Sequence, residues 1–300
     1  MLRSRRQFLA GTSALAVVAA LRPPLATGQG PSGLPTSEFA VIRGNVGTFF
    51  SQGGTIGWLV SPDGVIVVDA QMPPTTQVCI GGLTARSGNR PIDSLFNTHH
   101  HFDHTGGNAV FRPITKQIVA HVRVPELQKA AARPGTDQVY ADTVFDERWA
   151  IRLGAETVTA IACGPAHTAG DSIVCCTQAN IVHLGDLVFN RRLPVLDRPG
   201  GCRVSRWISV LEKTVYDFPA DARYIFGHAK PGFAVTGTRD DVLFQRDFLS
   251  ALLEHVQREI QAQRSREVIV TASLELKGFA DHGPLTERVL APAYDELTQN

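Results

Sequence analysis

The sequence predicts an α/β fold in which helices cover two β-sheets. Residues 39–69 consist of short β-branched and aromatic runs separated by turns, a pattern typical of an antiparallel meander. Further along the chain, runs of strand length are followed by segments with apolar residues at helical spacing, and this order occurs twice. Strands followed by helices, repeated in this way, favour a layered sandwich with the helices outside the sheets.

The elements follow in order along the chain. Residues 61–64, Ser-Pro-Asp-Gly, predict a turn before the buried strand at 65–69. Residues 240–263 carry an apolar stripe at helical spacing and predict the longest helix. Strands are predicted at 39–50, 55–60, 65–69, 94–98, 117–121, 156–162, 172–177, 180–183 and 222–226, and helices at 75–86, 124–132, 206–216, 240–263 and 285–297.

The first 28 residues have the composition of an export signal. Arg5 and Arg6 precede an uncharged stretch at 8–21, which is shorter than the roughly 20 residues of a membrane span. The order Ser-Arg-Arg-x-Phe-Leu resembles a twin-arginine signal, so the twin-arginine export machinery is an expected partner. We expect a signal at 1–28, a linker at 29–37, one domain over 38–300, and a periplasmic or secreted protein without a stable membrane anchor.

Charge and cysteine content narrow the function classes. Residues 1–28 hold four of the 29 Lys and Arg residues and none of the 28 acids, so residues 29–300 would carry a net charge of −3. Because no basic stripe is present, nucleic acid is not an expected partner. The five cysteines include no C-x-x-C pair, which excludes a zinc ribbon. We expect packing cysteines with room for one disulfide, and at most one of Cys175 and Cys176 facing the core.

One segment concentrates groups that bind metal ions. Residues 99–104 read His-His-His-Phe-Asp-His, which places four of the chain's 10 histidines within six positions. Side chains alternate in extended backbone, so His99 and His101 can face one ion while His100 points away. Asp103 and His104 follow a turn of the chain and can address a neighbouring position. Imidazole and carboxylate together are typical zinc ligands.

Three more residues of ligand type follow at the ends of predicted strands. His167 lies in the turn Gly-Pro-Ala-His-Thr-Ala-Gly-Asp, Asp186 follows the strand at 180–183, and His228 follows the strand at 222–226. The carboxyl ends of strands are where α/β folds gather ligand-binding groups. A surface metal scavenger, the alternative explanation of the histidine run, would need none of these residues.

The ordered set resembles the metallo-β-lactamase superfamily; its members are His99-x-His101-x-Asp103-His104, followed by His167, Asp186 and His228. The resemblance extends from about Phe39 to Gly232 and implies an αββα four-layer sandwich with two metal positions at one edge. It implies a first ion held by His99, His101 and His167, a second held by Asp103, His104 and His228, and a bridging Asp186.

Two ions at such a site imply a metal-dependent hydrolase. Three neutral imidazoles leave a tetrahedral zinc with one open position for water. A second ion, typically about 3.5–4 Å away, lets a hydroxide bridge both metals and attack an acyl carbonyl. Asp103 is the expected catalytic group, because it can orient that hydroxide and move a proton. The expected cofactors are two Zn²⁺ per chain, with iron or manganese as alternatives. The expected substrate is a small molecule such as a β-lactam, a lactone or a thioester.

The chain departs from the β-lactamases at two positions. Asp186 stands where one β-lactamase group has cysteine, and Phe189 where that group has a lysine that binds the substrate carboxylate. In this respect it resembles broader hydrolases such as glyoxalase II and the lactonases. A β-lactamase proper stays open as an alternative. A persulfide-oxidising enzyme with a single iron also stays open, since it uses the same ligands.

Asp69 and three neighbours of the ligands are candidates for orienting them. Asp69 ends a buried strand and resembles the acid that this family places behind the site, with a turn cap as the alternative. Thr98, Thr168 and Asp171 are further candidates, although local turn bonding explains each of them equally well.

Substrate contacts are predicted from loop residues. Asn190 and Lys230 are candidates for binding a substrate carboxylate, and the loops near Gly53, Gln138 and 191–206 are expected to set specificity. Four histidines fit no ligand pattern and are expected to be structural or exposed: His121, His183, His255 and His282.

Overall fold

Two β-sheets form the centre of the computed structural model, which describes residues 37–132, 135 and 138–299. The first sheet has seven strands in chain order. Strands one to four are antiparallel neighbours, as the meander predicted, and strands four to seven are parallel. They are β1 (Glu38–Arg43), β2 (Val46–Phe50), β3 (Ile56–Ser61), β4 (Gly64–Val68), β5 (Ser94–Asn97), β6 (Ile118–His121) and β7 (Thr143–Phe145).

The second sheet contains six strands and lies beside a separate two-stranded pair. The six strands are β8 (Arg148–Leu153), β9 (Glu156–Ala162), β10 (Ser172–Cys176), β11 (Ile181–His183), β13 (Arg223–Ile225) and β15 (Thr236–Gly237), and the pair is β12 (Phe189–Asn190) with β14 (His228–Ala229). The spatial order in the larger sheet is β15-β13-β11-β10-β9-β8. Its neighbours are antiparallel except β11 and β13, which run parallel.

Helices connect the strands and cover the sheets. The described helices are α1 (Pro73–Ser87), α2 (Phe102–Thr105), α3 (Asn108–Phe111), α4 (Arg123–Ala130), α5 (Val204–Asp217), α6 (Arg239–Gln261), α7 (Arg266–Val270) and α8 (Glu287–Thr298). Thr238 begins α6 with a capping box, in which its hydroxyl and the Asp241 carboxylate accept backbone N–H groups. Gly88 ends α1 in the left-handed region with φ 65°, where glycine has no side chain to strain.

Three clusters of buried apolar side chains lie between the four layers of helices and sheets. Strand β4 shows the arrangement: Ile66 and Val68 face the second sheet, whereas Val65 and Val67 face α1. On the far side, the second sheet packs against α5, α6, α7 and α8 around Trp207. The predicted α/β fold with an αββα layering is therefore confirmed, and inner strands such as β4 and β10 are buried on both faces.

Burial on two faces corrects the prediction for Cys175 and Cys176. Their side chains do point to opposite faces of β10, but both faces are core: Cys175 packs towards the helices and Cys176 between the sheets. All five cysteines are free thiols. Strand β8 was not predicted, because its residues alternate between half-buried and exposed positions and include two arginines.

The predicted N-terminal segments and the search for membrane-spanning helices concern different parts of the chain. The predicted signal at 1–28 and the linker up to residue 36 lie outside the described residues. Over residues 37–132, 135 and 138–299, no helix is both long enough and apolar enough to cross a membrane.

Candidate metal centre

Loops at one edge of the two sheets bring the ligand-type residues together. Residues 98–104 directly follow β5, which runs parallel to β4 and β6. His167 lies between β9 and β10, Asp186 follows β11, and His228 begins β14. Because β5 and β11 end at this edge, residues that are far apart in the chain converge there.

The first half of the centre consists of three imidazoles. The Nδ1 atom of His101 lies 3.1 Å from the Nε2 atoms of both His99 and His167. The Oδ2 atom of Asp186 lies 3.8 Å from His99 Nε2 and 3.6 Å from His167 Nε2. These four potential ligand atoms therefore surround a single position.

The second half combines a carboxylate with two imidazoles. Asp103 Oδ2 lies 3.1 Å from His228 Nε2 and 3.8 Å from His104 Nε2. Asp186 reaches this half as well, since its Oδ1 atom is 3.0 Å from His104 Nε2 and its Oδ2 atom 3.4 Å from His228 Nε2. One carboxylate thus contacts both halves.

The outer nitrogens of four ligand-type histidines face acceptors. His99 Nδ1 lies 3.0 Å from Thr98 Oγ1, and His104 Nδ1 lies 2.8 Å from Asp69 Oδ2. His167 Nδ1 lies 2.9 Å from the Val195 carbonyl. His101, turned the other way, places Nε2 3.0 Å from Asp197 Oδ2. Donating a proton outwards leaves each inward nitrogen with a lone pair for a metal ion.

Asp69 and Thr98 hold the ends of β4 and β5 together behind the centre. Asp69 Oδ1 accepts the Thr98 backbone N–H at 2.8 Å, and its Oδ2 accepts the Thr98 hydroxyl at 2.9 Å as well as the His104 ring. Asp69 is fully buried and has a positive φ of 66°, a conformation costly for a residue with a side chain. In this strained conformation the Asp69 carboxylate binds both Thr98 and the ring of His104.

Asp197 contacts the candidate metal centre but was not predicted from the sequence. Its carboxylate accepts from His101 and also lies 3.4 Å from His100 Nε2, while its Oδ1 atom accepts the Gly200 N–H at 3.0 Å. His100 thus points to Asp197 rather than into either half. The only sequence signal was an acid within the specificity loop at 191–206, because the contact joins residues 96 positions apart.

Electrostatics differ between the two halves. Burial, reinforced by neighbouring imidazoles, lowers the pKa of His99 and lowers that of His167 to about 3. Burial alone would also lower the pKa of His228, but the carboxylates of Asp186 and Asp103 outweigh it and raise that pKa to about 9. Burial raises the pKa of Asp186, but the charges of His104 and His228 and their hydrogen bonds together outweigh it, and that pKa falls well below its ordinary value.

The spacing of the donors in the first half fits a zinc-like ion. A tetrahedral zinc with Zn–N bonds of about 2.0–2.1 Å holds its nitrogens roughly 3.3 Å apart, close to the 3.1 Å spacings around His101. His104 Nε2 and Asp186 Oδ1 are buried 3.0 Å from each other at the centre, and neither forms a hydrogen bond to any other described residue. A Cβ at Gly54 would overlap the His104 ring, and one at Gly227 would overlap Asp186. Backbone therefore packs closely behind the ligand atoms.

Other predicted site residues have local or distant partners. Asp171 accepts the backbone N–H of Thr168 at 2.8 Å and its hydroxyl at 2.7 Å, which closes the turn after His167. Asn190 donates to the Ala234 carbonyl at 2.8 Å, and Lys230 donates to the Asp281 carbonyl.

The four histidines outside the pattern occupy structural or partly exposed positions. His183 Nε2 lies 3.1 Å from the Thr55 carbonyl and so ties β11 to the loop before β3. His282 stacks on Phe248 with ring centroids 4.0 Å apart. His121 is buried at the end of β6, and His255 lies half-buried on α6.

A cavity opens directly onto the second half. It has a volume of about 350 Å³, and its lining includes Gly53, Met72, Asp103, Arg192 and His228. A second cavity of about 780 Å³ begins at Arg192 and continues past residues 193–196 to 286–289. Asn190 and Lys230 line neither cavity, so the cation next to the centre is Arg192.

The fold and the paired ligand groups define a metallohydrolase-like protein, and a sequence comparison identifies its family. A family model described as the metallo-beta-lactamase superfamily matches residues 52–247. The chain therefore belongs to the metallo-β-lactamase superfamily, whose members are mostly metal-dependent hydrolases.

Individual relatives resemble parts of the chain. The 2,4-dinitroanisole O-demethylase subunit alpha of Nocardioides sp. is 27% identical over 157 residues, covering 52% of this chain and 47% of the relative. The hydroxyacylglutathione hydrolase of Brucella ovis is 34% identical over 98 residues, covering 33% of this chain and 34% of the relative. The chain thus spans about half or a third of the length of these relatives.

Solved structures with low sequence identity share the fold. A metallo-beta-lactamase from Pontibacter korlensis superposes with a TM-score of 0.62 at 17% identity, covering 72% of this chain and 99% of that one. A stereoselective inverting sec-alkylsulfatase from Pseudomonas sp. superposes with a TM-score of 0.68 at 11% identity, covering 87% of this chain and 50% of that one. At these identities the likeness concerns the fold.

Proposed function

We propose that this chain is a hydrolase with two zinc ions that cleaves an acyl bond in a small molecule. The observation that carries the proposal is the position of Asp186. Its two oxygens contact both ligand groups, at 3.0 Å from His104 Nε2 and 3.6 Å from His167 Nε2. A carboxylate shared in this way suits two ions that act on one substrate.

Each half of the candidate metal centre would bind one ion. His99, His101 and His167 would hold the first, and Asp103, His104 and His228 the second, with Asp186 between them. When bound, the ions supply a Lewis acid for the acyl carbonyl and lower the pKa of a bound water to about 7.

Asp103 is the proposed proton-transfer group. Its side chain is 34% exposed and lines the cavity, whereas Asp186 is 3% exposed. Burial raises the pKa of Asp103, but the charges of His104 and His228 and the hydrogen bond to His228 together outweigh it and lower that pKa to about 2. The Asp103 carboxylate at the cavity would accept a proton from the attacking water and return it to the leaving group.

The proposed substrate class is an activated acyl compound, with a thioester first. The hydroxyacylglutathione hydrolase relative supports this choice, since it matches at 34% identity and carries a thioesterase-type name. The panel to be assayed comprises a thioester, a lactone, a β-lactam and a phosphodiester. It also includes 2,4-dinitroanisole, named for the other relative.

The panel assay on zinc-loaded protein tests the proposal. Asp186→Asn should bring turnover down to the level of metal-free protein and reduce bound zinc, whereas His255→Ala on α6 should match the unmodified protein. A chain that turns over none of the acyl substrates, or an Asp186→Asn variant as active as its parent, would refute the hydrolase. Metal analysis that finds a single iron per chain would favour oxidation instead.

We propose further that residues 1–28 direct export by the twin-arginine route to the periplasm or beyond. Changing Arg5 and Arg6 together to lysine should retain the full-length chain in the cytoplasm, because the signal is read through its arginines. An unchanged periplasmic level in this variant would exclude twin-arginine export, and the hydrolase proposal would be unaffected.

A further inference from the structure

His228 lacks the kind of contact that orients the other ligand-type histidines. Four of those turn their outer nitrogen to an acceptor, namely a hydroxyl, a carbonyl or a carboxylate. The outer nitrogen of His228, Nδ1, lies 3.4 Å from the Nη1 atom of Arg192, and a guanidinium has no acceptor atom. Among the described residues, no hydrogen-bond acceptor therefore fixes the ring of His228 from outside.

An aromatic side chain lies against His228 instead. The Phe189 ring stacks on the His228 imidazole, with ring centroids 5.3 Å apart and an angle of 16° between the planes. The backbone sets this contact, because Phe189 in β12 and His228 in β14 are paired in register. Phe189 is 1% exposed and belongs to the core around α5 and α6, so its ring is itself held by packing. The stacked ring restricts rotation of the imidazole about its Cβ–Cγ bond.

The Phe189 ring also reaches the first half of the centre. Its centroid lies 5.6 Å from that of His167, with the ring planes at 63°. Trp207 of α5 packs beside both rings, with its centroid 5.3 Å from His167 and 6.4 Å from Phe189. Its Nε1 atom donates to the Leu187 carbonyl at 2.9 Å, next to the shared carboxylate of Asp186. Phe189 and Trp207 thus connect one imidazole from each half with the segment that carries Asp186.

Phe189 contacts the ligand rings but not the space open to a substrate. It stands where one β-lactamase group has a lysine that binds the substrate carboxylate. Here the side chain is buried, and it lines neither the 350 Å³ cavity nor the 780 Å³ cavity. A residue in this position can affect the reaction only through the imidazoles that it touches.

We infer that Phe189 is a positioning residue, which holds the His228 ring with Nε2 towards the Asp103 carboxylate and so prepares the second half for its ion. The inference rests on the proposed two-ion centre and is independent of the substrate. Loss of the partner that orients a ligand histidine typically lowers metal affinity about ten- to a hundred-fold. Here a buried aromatic face takes the place of that partner. His167 is also fixed by the Val195 carbonyl, so the first ion should depend less on Phe189.

Phe189→Met tests the inference, because methionine is a flexible apolar side chain that fills core space without offering a ring face. Chelator competition measures the affinities of the two zinc ions, and the affinity that is absent in His228→Ala belongs to the second ion. In Phe189→Met the second ion should bind roughly ten-fold more weakly, and the first should change by less than about three-fold. In protein loaded with cobalt, the visible absorption of the second cobalt should change in position and intensity, because these bands depend on coordination geometry.

Phe248→Met provides the matched control. Phe248 is also 1% exposed, belongs to the same apolar cluster, and stacks on His282 rather than on a ligand-type histidine. Its replacement should lower the Tm comparably and leave both zinc affinities and the cobalt absorption unchanged. The inference is refuted if Phe189→Met weakens both ions equally, or if Phe248→Met weakens the second ion to the same degree. Two ions bound as tightly in Phe189→Met as in the unmodified protein would refute the inference and leave the proposed function standing. An unmodified protein that binds a single ion would refute the two-ion centre and the inference with it.

Discussion

The two halves of the candidate metal centre both contain buried imidazoles but hold protons differently. In the first half, burial and mutual repulsion keep the pKa values of His99 and His167 low, with His167 at about 3. In the second half, burial is outweighed by Asp186 and its neighbouring carboxylates, so the pKa values of His104 and His228 are raised. His99 and His167 are therefore neutral imidazoles, whereas His104 and His228 hold protons in the metal-free protein.

The difference in histidine pKa values shows the effect of Asp103 and Asp186 in the metal-free protein. His99 and His167 could not be buried together as cations, so their neutrality comes from desolvation. In the second half, Asp103 and Asp186 are held ionised by the protonated histidines. Metal binding requires deprotonated ligands and releases those protons. We therefore expect the first half to take its ion readily and the second to take it in competition with protons.

The largest expected effect comes from removing one ligand from each half. His167→Ala should lose the first ion and all hydrolysis, whereas His228→Ala should lose the second ion and retain the first. Zinc content by elemental analysis, with His255→Ala as the matched histidine control, checks both variants. If each variant loses both ions, the halves are not separate and the comparison fails.

A smaller effect is expected from the acids behind each half. Asp197 accepts from His101 and Asp69 accepts from His104, at 3.0 and 2.8 Å. Asp197→Ala should weaken the first ion and Asp69→Asn the second, each by about ten- to a hundred-fold, because such partners fix ring orientation and tautomer. Chelator competition measures the two affinities. Thermal unfolding of the metal-free variants separates this loss from general destabilisation, and equal losses at both ions in either variant would contradict the assignment.

The smallest effect concerns the stability of the metal-free protein against pH. Folding raises the pKa of His228 from 6.5 to about 9, so the folded protein binds its proton more tightly. This contribution to the free energy of unfolding is fully present below pH 6.5 and is lost as the pH rises through about 9. We expect the Tm to fall over that window, and to fall less in His228→Gln. A Tm that rises over the same window would show that the second half does not hold this proton.

Sequence reasoning succeeded where the signal was local. Alternation along β4 and the helical spacing in α6 determine which face of each element is buried, so strands, helices and layering could be predicted. Strand β8 was missed because half-buried, arginine-containing positions resemble a loop. The same limit applied to Cys176: alternation shows that it faces away from Cys175, but only the packed second sheet shows that both faces are core.

By itself the sequence determined the types and the order of the candidate ligand residues and the turn that separates His101 from Asp103. These follow from the chemistry of residues within a few positions of one another. Only the tertiary structure decided which atoms meet. It turned His101 to present Nδ1, placed Asp197 against it across 96 residues, and chose Arg192 rather than Lys230 as the cation at the cavity. Such pairings depend on loop paths set by the packing of whole sheets, and no local pattern of residues encodes them.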